Sequence, residues 1–412
     1  MKHSQQKLSE NLLSTTPRHE TQPSNSVREY SDPPIPDDLL MEIFSRVPAK
    51  SIARFRCVSK SLVSILDQVT ELFLTKSLNR PRLLFTINAN GKLFFYSSPQ
   101  PHNPDDDSCI VVTPYYTSFP EYFPSDICST VCGLVLLQGL KRKVSVICNP
   151  ATGQFLTLPK VLLKEKNLPI LKAKSNRTMV AEMYLGYDPI GKQFKVLCMT
   201  SSYDERPNTH QVLTLESGKR VWRRVERKFH FEKNYRMRGE ICINGVLYFG
   251  ARFGDEFRDD GLSSRIVCFD VRSENFSFIN MNEGMKLVGS YLVDALTLFN
   301  YKGKLAIHDN RYENKLVLWI LEDAGNHKWS EHVFVLSHLH NDIVRKSMFV
   351  GMTSTDETVV SASHDRPFYF NFYNLESKTL NRVYIQGLEE FNKHQYVTLR
   401  TFVDYVENIK SM

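Results

Sequence analysis

No uninterrupted apolar run in this 412-residue sequence approaches the roughly 20 residues of a membrane span. The opening stretch, MKHSQQKLSENLLSTTPRHE, has no apolar core of the kind that directs secretion. Cytoplasm or nucleus is therefore the expected compartment. Cysteine is sparse and scattered: Cys57, Cys109, Cys128, Cys132, Cys148, Cys198, Cys242 and Cys268. Without a secretory route a disulfide framework is not expected. Most of these residues sit in apolar runs such as VLCM, EICI and IVCF, where a buried free thiol acts as a small hydrophobe.

Catalytic and metal signatures are missing as well. There is no G-x-S-x-G elbow and no H-E-x-x-H helix. Cys128 and Cys132 lie four apart with no second Cys/His pair at zinc spacing, and His338 and His340 stand on a polar connection. The segment GYDPIGKQ, Gly186 to Gln193, falls short of a phosphate-binding P-loop. Gln193 supplies no hydroxyl for Mg²⁺, Pro189 removes an N–H, and FKVLCM after it has strand character rather than helix character. A structural β-turn is the reading. No metal, no cofactor and no catalysis are expected.

What is present is ordinary for a globular protein: 42% hydrophobic and 24% charged residues. The net charge of +7 permits an acidic partner without demanding nucleic acid. Residues 1 to 32 are polar and rich in Ser, Gln, Thr and Pro, a composition that predicts a disordered tail. From Ile35 the character changes. Pro36, Asp37 and Asp38 favour a helix start. Leu39, Leu40, Ile43, Phe44 and Val47 then follow at helical spacing until Pro48 stops the run. Ile52, Phe55 and Val58 suggest a second short helix, and Leu62, Val63, Ile65 and Leu66 a third. A module this small with so many apolar faces is expected to lean on a neighbour.

After about Arg82, short β-branched and aromatic runs alternate with turn residues to the end of the chain. One unit recurs: an apolar residue, a polar turn-former, a short turn, then an apolar residue seven or eight positions on. It appears at Cys148 to Phe155, Tyr187 to Phe194, Leu215 to Trp222, Phe269 to Phe276, Leu321 to Trp329 and Tyr373 to Leu380. The last four start 54, 52 and 52 residues apart. Hairpin turns are also marked by Asn90-Gly91, Asn244-Gly245 and Lys302-Gly303. A period near 50 residues with several strands per unit points to propeller blades, about six of them; two packed β-sheets are the alternative.

One basic stretch, Gly218 to Gly239, interleaves Arg220, Arg223, Arg224, Arg227 and Lys228 with Trp222, Phe229, Phe231 and Tyr235. It reads either as a patch for an acidic target peptide or as a strand pair with its charges solvated. No nucleic-acid motif accompanies it.

The helical segment resembles the F-box. Ile35-Pro36 stands for the family's Leu-Pro, Asp38-Leu39 for its Asp-Leu, and LLMEIFSRV for its leucine-rich first helix. Pro48-Ala49-Lys50-Ser51 and Arg54-Phe55, Val58 and Lys60 continue the match. The departure is Leu62, where many members carry Trp; leucine loses buried area, which implies weaker docking. The remainder resembles the F-box-associated domain of the large plant families in ICNPATGQFLTLP, YLGYDPIGKQFKVLCM, GEICINGVLYFGA, VCFDVRSENFSFI and WILEDAGNHKWSEHVFVL. The implied organisation is a small all-α F-box module at 33–75 followed by a large all-β domain, an irregular propeller, at 82–405.

The resemblance implies the substrate-recognition subunit of a Skp-cullin-F-box ubiquitin ligase. Its partners would be a Skp-type adaptor, through it a cullin scaffold, and a target protein. Adaptor contacts are expected from Ile35, Pro36, Leu39, Leu40, Ile43, Val47, Pro48, Val58, Leu62 and Leu66. A ligase-independent interaction scaffold is the alternative; a propeller enzyme such as a glycosidase, which would need convergent carboxylates at the channel mouth, is a third reading.

Overall fold

The computed structural model describes residues 35–410 apart from 117–126, 140–143, 162–179, 202–208, 217, 219, 226–230, 235, 254–263, 286–294, 362–365 and 395–396. The tail expected to be disordered lies outside the described residues, as do Arg227 and Lys228.

Three helices come first: α1 (Asp37–Phe44), α2 (Ala49–Phe55) and α3 (Lys60–Leu78). Pro36 and Pro48 each precede a helix with φ at −54° and −55°, so the ring presets the entry to the first turn. Ser59 caps α3, its hydroxyl accepting the Leu62 N–H at 3.1 Å. The third helix runs well past Leu66, because Val69 and Phe73 continue the inward stripe turn by turn. The Phe44 and Phe55 rings, 5.4 Å apart, tie α1 to α2.

The remaining described residues form six sheets, antiparallel except for one parallel edge strand in each of two, arranged as a six-bladed β-propeller. From the axis outward, blade 1 holds Val397–Tyr405, Arg82–Ala89, Lys92–Pro99 and Thr113–Tyr116. Blade 2 holds Ile127–Val131, Leu134–Gly139, Val144–Asn149 and Gln154–Thr157. Blade 3 holds Val180–Asp188, Gln193–Ser201, Thr209–Thr214 and Arg223–Val225.

In blade 4, Phe231–Lys233 and Ile241–Ile243 share the inner edge of Val246–Phe253, followed by Ser264–Asp270 and Phe276–Asn280. Blade 5 runs Leu296–Tyr301, Lys304–Asp309, Lys315–Asp323 and Lys328–Val335, with Met237–Arg238 on its inner edge. Helix α4 (His338–Lys346) leads into blade 6, where the sequence suggested only a polar connection. Blade 6 holds Met348–Met352, Glu357–Ser361, Tyr369–Asn374 and Leu380–Gln386, with Ser108–Val111 outermost.

The innermost strands of neighbouring blades pack against one another, which sets them around the axis. Two strands close the ring. The last strand, Val397–Tyr405, is the innermost of blade 1, and Ser108–Val111 leaves blade 1 to pair in parallel with Leu380–Gln386 of blade 6. Closure of this kind joins the two ends of the β-domain by hydrogen bonds.

The recurring sequence unit is a hairpin, but it does not count blades. Cys148, Phe269, Leu321 and Tyr373 pair directly with Phe155, Phe276, Trp329 and Leu380 across outer hairpins. Leu215 to Trp222 spans the outer hairpin of blade 3, whereas Tyr187 pairs with Phe194 across the inner hairpin of that same blade. Blade 1 has no such unit, since its outer strands are separated by the excursion to blade 6. The polar residue of the unit works by its side-chain oxygen. Asn149 accepts from Ala151 at 3.1 Å, Asp270 from Ser273 at 2.6 Å and Asn374 from Glu376 at 3.0 Å, each folding the turn back on itself.

The two-residue turns have paired positive φ: Asn90 and Gly91 at 52° and 75°, Asn244 and Gly245 at 50° and 85°. Cys132-Gly133 in blade 2 makes the same turn at 45° and 82° with no sequence signal to announce it.

Alternating strand direction sends the inner and outer hairpins of blades 2 to 6 to one face of the ring. The F-box helices sit on that face. Phe44, Ala49, Ile52, Ile65, Leu66, Val69 and Phe73 belong to one buried cluster with Leu84, Phe95 and Tyr115 of blade 1 and Val135, Leu137, Val146 and Cys148 of blade 2. Each large side chain in such a core contributes about 1.5–3 kcal/mol. The helical module therefore shares a core with the propeller rather than forming its own.

Candidate functional site

Of the fifteen large apolar side chains that remain exposed among the described residues, seven lie between Ile35 and Leu78. That clustering singles out the helical module as the surface built to be covered. The pattern comes from α1 having two apolar faces. Phe44 is buried, and Leu40 and Met41 pack against the shared core, while Ile35, Leu39 and Ile43 keep 54%, 56% and 50% of their surface. Three residues spaced by four make one continuous stripe on the outside. Pro36 and Pro48 are exposed beside it, Val58 is 69% exposed in the turn before α3, and Phe55 is partly open.

The ten residues expected at an adaptor surface thus separate into three groups. Ile35, Pro36, Leu39, Ile43, Pro48 and Val58 are open. Leu40, Val47 and Leu62 are half-buried against the internal core. Leu66 is corrected: it is fully buried, since it lies on the side of α3 facing blades 1 and 2. Phe55 belongs with the open group and was missed, since its spacing with Ile52 and Val58 indicated a helix but not which face it lies on.

Polar contacts fasten the module at the base of this surface. Glu42 takes Arg46 Nε at 2.8 Å and Lys76 Nζ at 2.7 Å, and these two cations, Lys76 first, hold its carboxyl below the usual range. Arg56 bonds Asp67 at 2.7 Å. Lys192, in the turn that falls short of a P-loop, pairs with Glu71 of α3. Asp188 accepts the Ile190 N–H at 2.9 Å, so the segment is the β-turn that the sequence indicated.

The basic stretch is not a single open patch. Both carboxylate oxygens of Glu274 accept from Arg223 at 2.6 Å, and Lys195 reaches Oε1 at 2.9 Å. Burial alone would raise the Glu274 pKa; these two cations outweigh it and hold it down. Arg220 donates to the Leu215 carbonyl at 3.0 Å, while Arg224 is exposed. Seven cysteines are free among the described residues. Cys148, Cys198 and Cys268 are buried as expected, whereas Cys57 and Cys109 are exposed. Burial pushes the Cys198 and Cys268 thiols up to about 12, which leaves them unreactive. No group of three metal-ligating side chains occurs among the described residues, and no described helix is long and apolar enough to cross a membrane.

Comparison with known proteins agrees with this anatomy. Residues 34–73 match the family model for the F-box domain, and residues 82–406 match that for the F-box associated beta propeller domain. A putative F-box protein of Arabidopsis thaliana is 43% identical over 404 residues, covering 95% of this chain and 96% of that protein. A second F-box protein of that plant is 44% identical over 393 residues, covering 92% and 82%. The F-box protein DOR, also from Arabidopsis thaliana, is 40% identical over 409 residues, covering 93% and 95%. With helices and propeller both matched, the chain belongs to the F-box proteins that carry an F-box associated beta propeller domain.

Proposed function

We propose that this chain is the substrate-recognition subunit of a Skp-cullin-F-box ubiquitin ligase, holding a target protein for ubiquitin transfer without catalysing any step itself. An F-box joined to a propeller supports a receptor role in general. The observation that carries the finer reading is the bare stripe of Ile35, Leu39 and Ile43 beside Val58, on helices whose other side is locked into the propeller. An adaptor covering that stripe fixes the propeller relative to the rest of the ligase. Tethering then raises the target's effective concentration near the ubiquitin carrier to the order of millimolar.

The target would sit on the propeller face away from the F-box. Tyr312, Val335 and Leu339 are exposed on that side of blade 5 and its connection to blade 6. The test is co-purification of the full chain with a Skp-type adaptor and cullin, followed by proximity labelling with an Ile43→Asp variant that still folds but cannot deliver targets to the ligase. Deleting the F-box is the wrong tool, because it would open the core shared with blades 1 and 2. Failure of the wild-type chain to enrich adaptor would sink the proposal.

A second reading, a scaffold that docks weakly or not at all, is favoured by Leu62. It is half-buried at the start of α3 and smaller than the Trp that the F-box resemblance leads one to expect there. Titrating adaptor against the wild type and Leu62→Trp separates the two: a large gain in affinity from tryptophan supports the scaffold, and similar nanomolar-range binding supports the ligase.

A further inference from the structure

We propose that the cleft between the F-box helices and blade 1 binds a small phosphate-type polyanion. The cleft encloses about 390 Å³, the size range of small-molecule sites. Its walls come from the end of α1 and the turn into α2, the end of α3, and the Arg82, Ser97 and Thr113–Tyr115 positions of blade 1.

Charge is the distinguishing feature. Arg46, Lys50, Lys76, Arg80 and Arg82 all line this space. Two carboxylates stand against these five cations. Glu42 is shared by Arg46 and Lys76. Glu407 lies 3.8 Å from Arg82 and accepts the Tyr115 hydroxyl at 2.6 Å. Lys50 is held only by the Pro114 carbonyl at 3.3 Å, a neutral partner, and Arg80 has no ion-pair partner among the described residues. Cations gathered in a concave wall raise the local concentration of anions, and walls of low dielectric strengthen the effect.

The donor set selects the class of ligand. Guanidinium forks match the oxygens of a phosphate group, and ammonium groups add point charges. Hydroxyls of Ser51, Ser77 and Thr113 lie in the same wall and supply further donors. An extended strand of peptide or nucleic acid would need an open track; this cleft is confined to one domain junction. Because its walls include the Val47-Pro48 turn, the occupant would bridge the adaptor-facing helices and the propeller and stiffen the joint between them.

Calorimetric titration of the full chain with tripolyphosphate at constant ionic strength tests this, alongside two variants. Lys50→Gln/Arg80→Gln removes the two cations without a carboxylate partner, both on exposed side chains whose loss leaves the core intact. Lys378→Gln removes an exposed cation elsewhere, in the outer turn of blade 6. The expected result is one saturable site in the wild type, at least tenfold weaker in the cleft variant and unchanged in the control. Thermal melts should show tripolyphosphate protecting the wild type and the control but not the cleft variant. Absence of saturable binding by the wild type, or equal affinity in all three proteins, would overturn the proposal.

Discussion

The Arg56 guanidinium donates through Nη2 to the backbone carbonyl of Ile409 at 3.2 Å, joining the end of α2 to the segment that follows the last propeller strand. The two residues are 353 positions apart, so the F-box is clamped by the far end of the chain as well as by its own continuation into blade 1. A receptor that positions a target by geometry gains from such a clamp, because a loose joint would spread the target over many distances. Arg56→Met should keep the aliphatic packing but lose the clamp. A loss of about 1–2 kcal/mol in stability is expected, with faster hydrogen exchange at residues 406–410 and unchanged adaptor affinity. Exchange no faster than in the wild type would show that the bond does not hold the joint.

The outer stripe and the inner stripe of the helices should respond oppositely to the same chemistry. Ile43→Asp places a charge on a half-open surface, so the melting temperature should hardly move while adaptor affinity falls by about 10²-fold or more. Leu66→Asp buries an unpaired charge in the core shared with blades 1 and 2, and should lower stability by several kcal/mol. Paired melting and binding measurements on both variants decide the assignment. Were Ile43→Asp the one that unfolds, the two faces would have to be exchanged.

His308 predicts an acid-sensitive blade. It is fully enclosed in blade 5 and stacked on Phe349 of blade 6 at 4.2 Å. Burial pushes its pKa down to about 3, against about 6.5 in an unfolded chain. The unfolded state therefore takes up the proton first. The contribution of the neutral ring is complete above pH about 6.5 and is lost progressively as the pH falls toward 3, with a slope of at most about 1.4 kcal/mol per pH unit. His308→Leu should flatten the fall in stability between pH 6.5 and 4, as read by urea unfolding at several pH values. An unchanged slope would assign the acid sensitivity elsewhere.

Glu274 links blade 4 to blade 3 through Lys195 and Arg223. Its lowered pKa means that its contribution is present above the ordinary carboxylate range and lost as the pH drops below that range. Glu274→Gln should cost about 1–3 kcal/mol at neutral pH, mostly by leaving the nearly buried Lys195 ammonium uncompensated. Double substitution with Lys195→Met should recover part of the loss. If the two losses simply add, the pair is not coupled.

Much of this architecture is legible in the sequence. The helix start at Pro36, the stop at Pro48 and the Asn-Gly turns follow from local stereochemistry, which the neighbours in sequence decide. Other features leave no local signal. Cys132-Gly133 forms a hairpin turn although cysteine is no turn residue; the glycine is required because a Cβ there would meet Asn408 at 2.5 Å. The Tyr187 unit looked like a blade of its own, yet the offset of seven residues marks any tight hairpin, inner or outer. Arg223 read as a free cation because its partner, Glu274, is 51 positions away.

The sequence by itself determined the two-part organisation, since helical and strand periodicities are local properties of the chain. It also determined which side chains are apolar enough to need cover. Only the tertiary structure decided which of them receive that cover from the chain itself: Leu66 and Ile43 carry similar side chains, and one is sealed against the propeller while the other faces water. The division arises where α3 meets blades 1 and 2, from contacts between segments hundreds of residues apart. No local pattern encodes such a meeting.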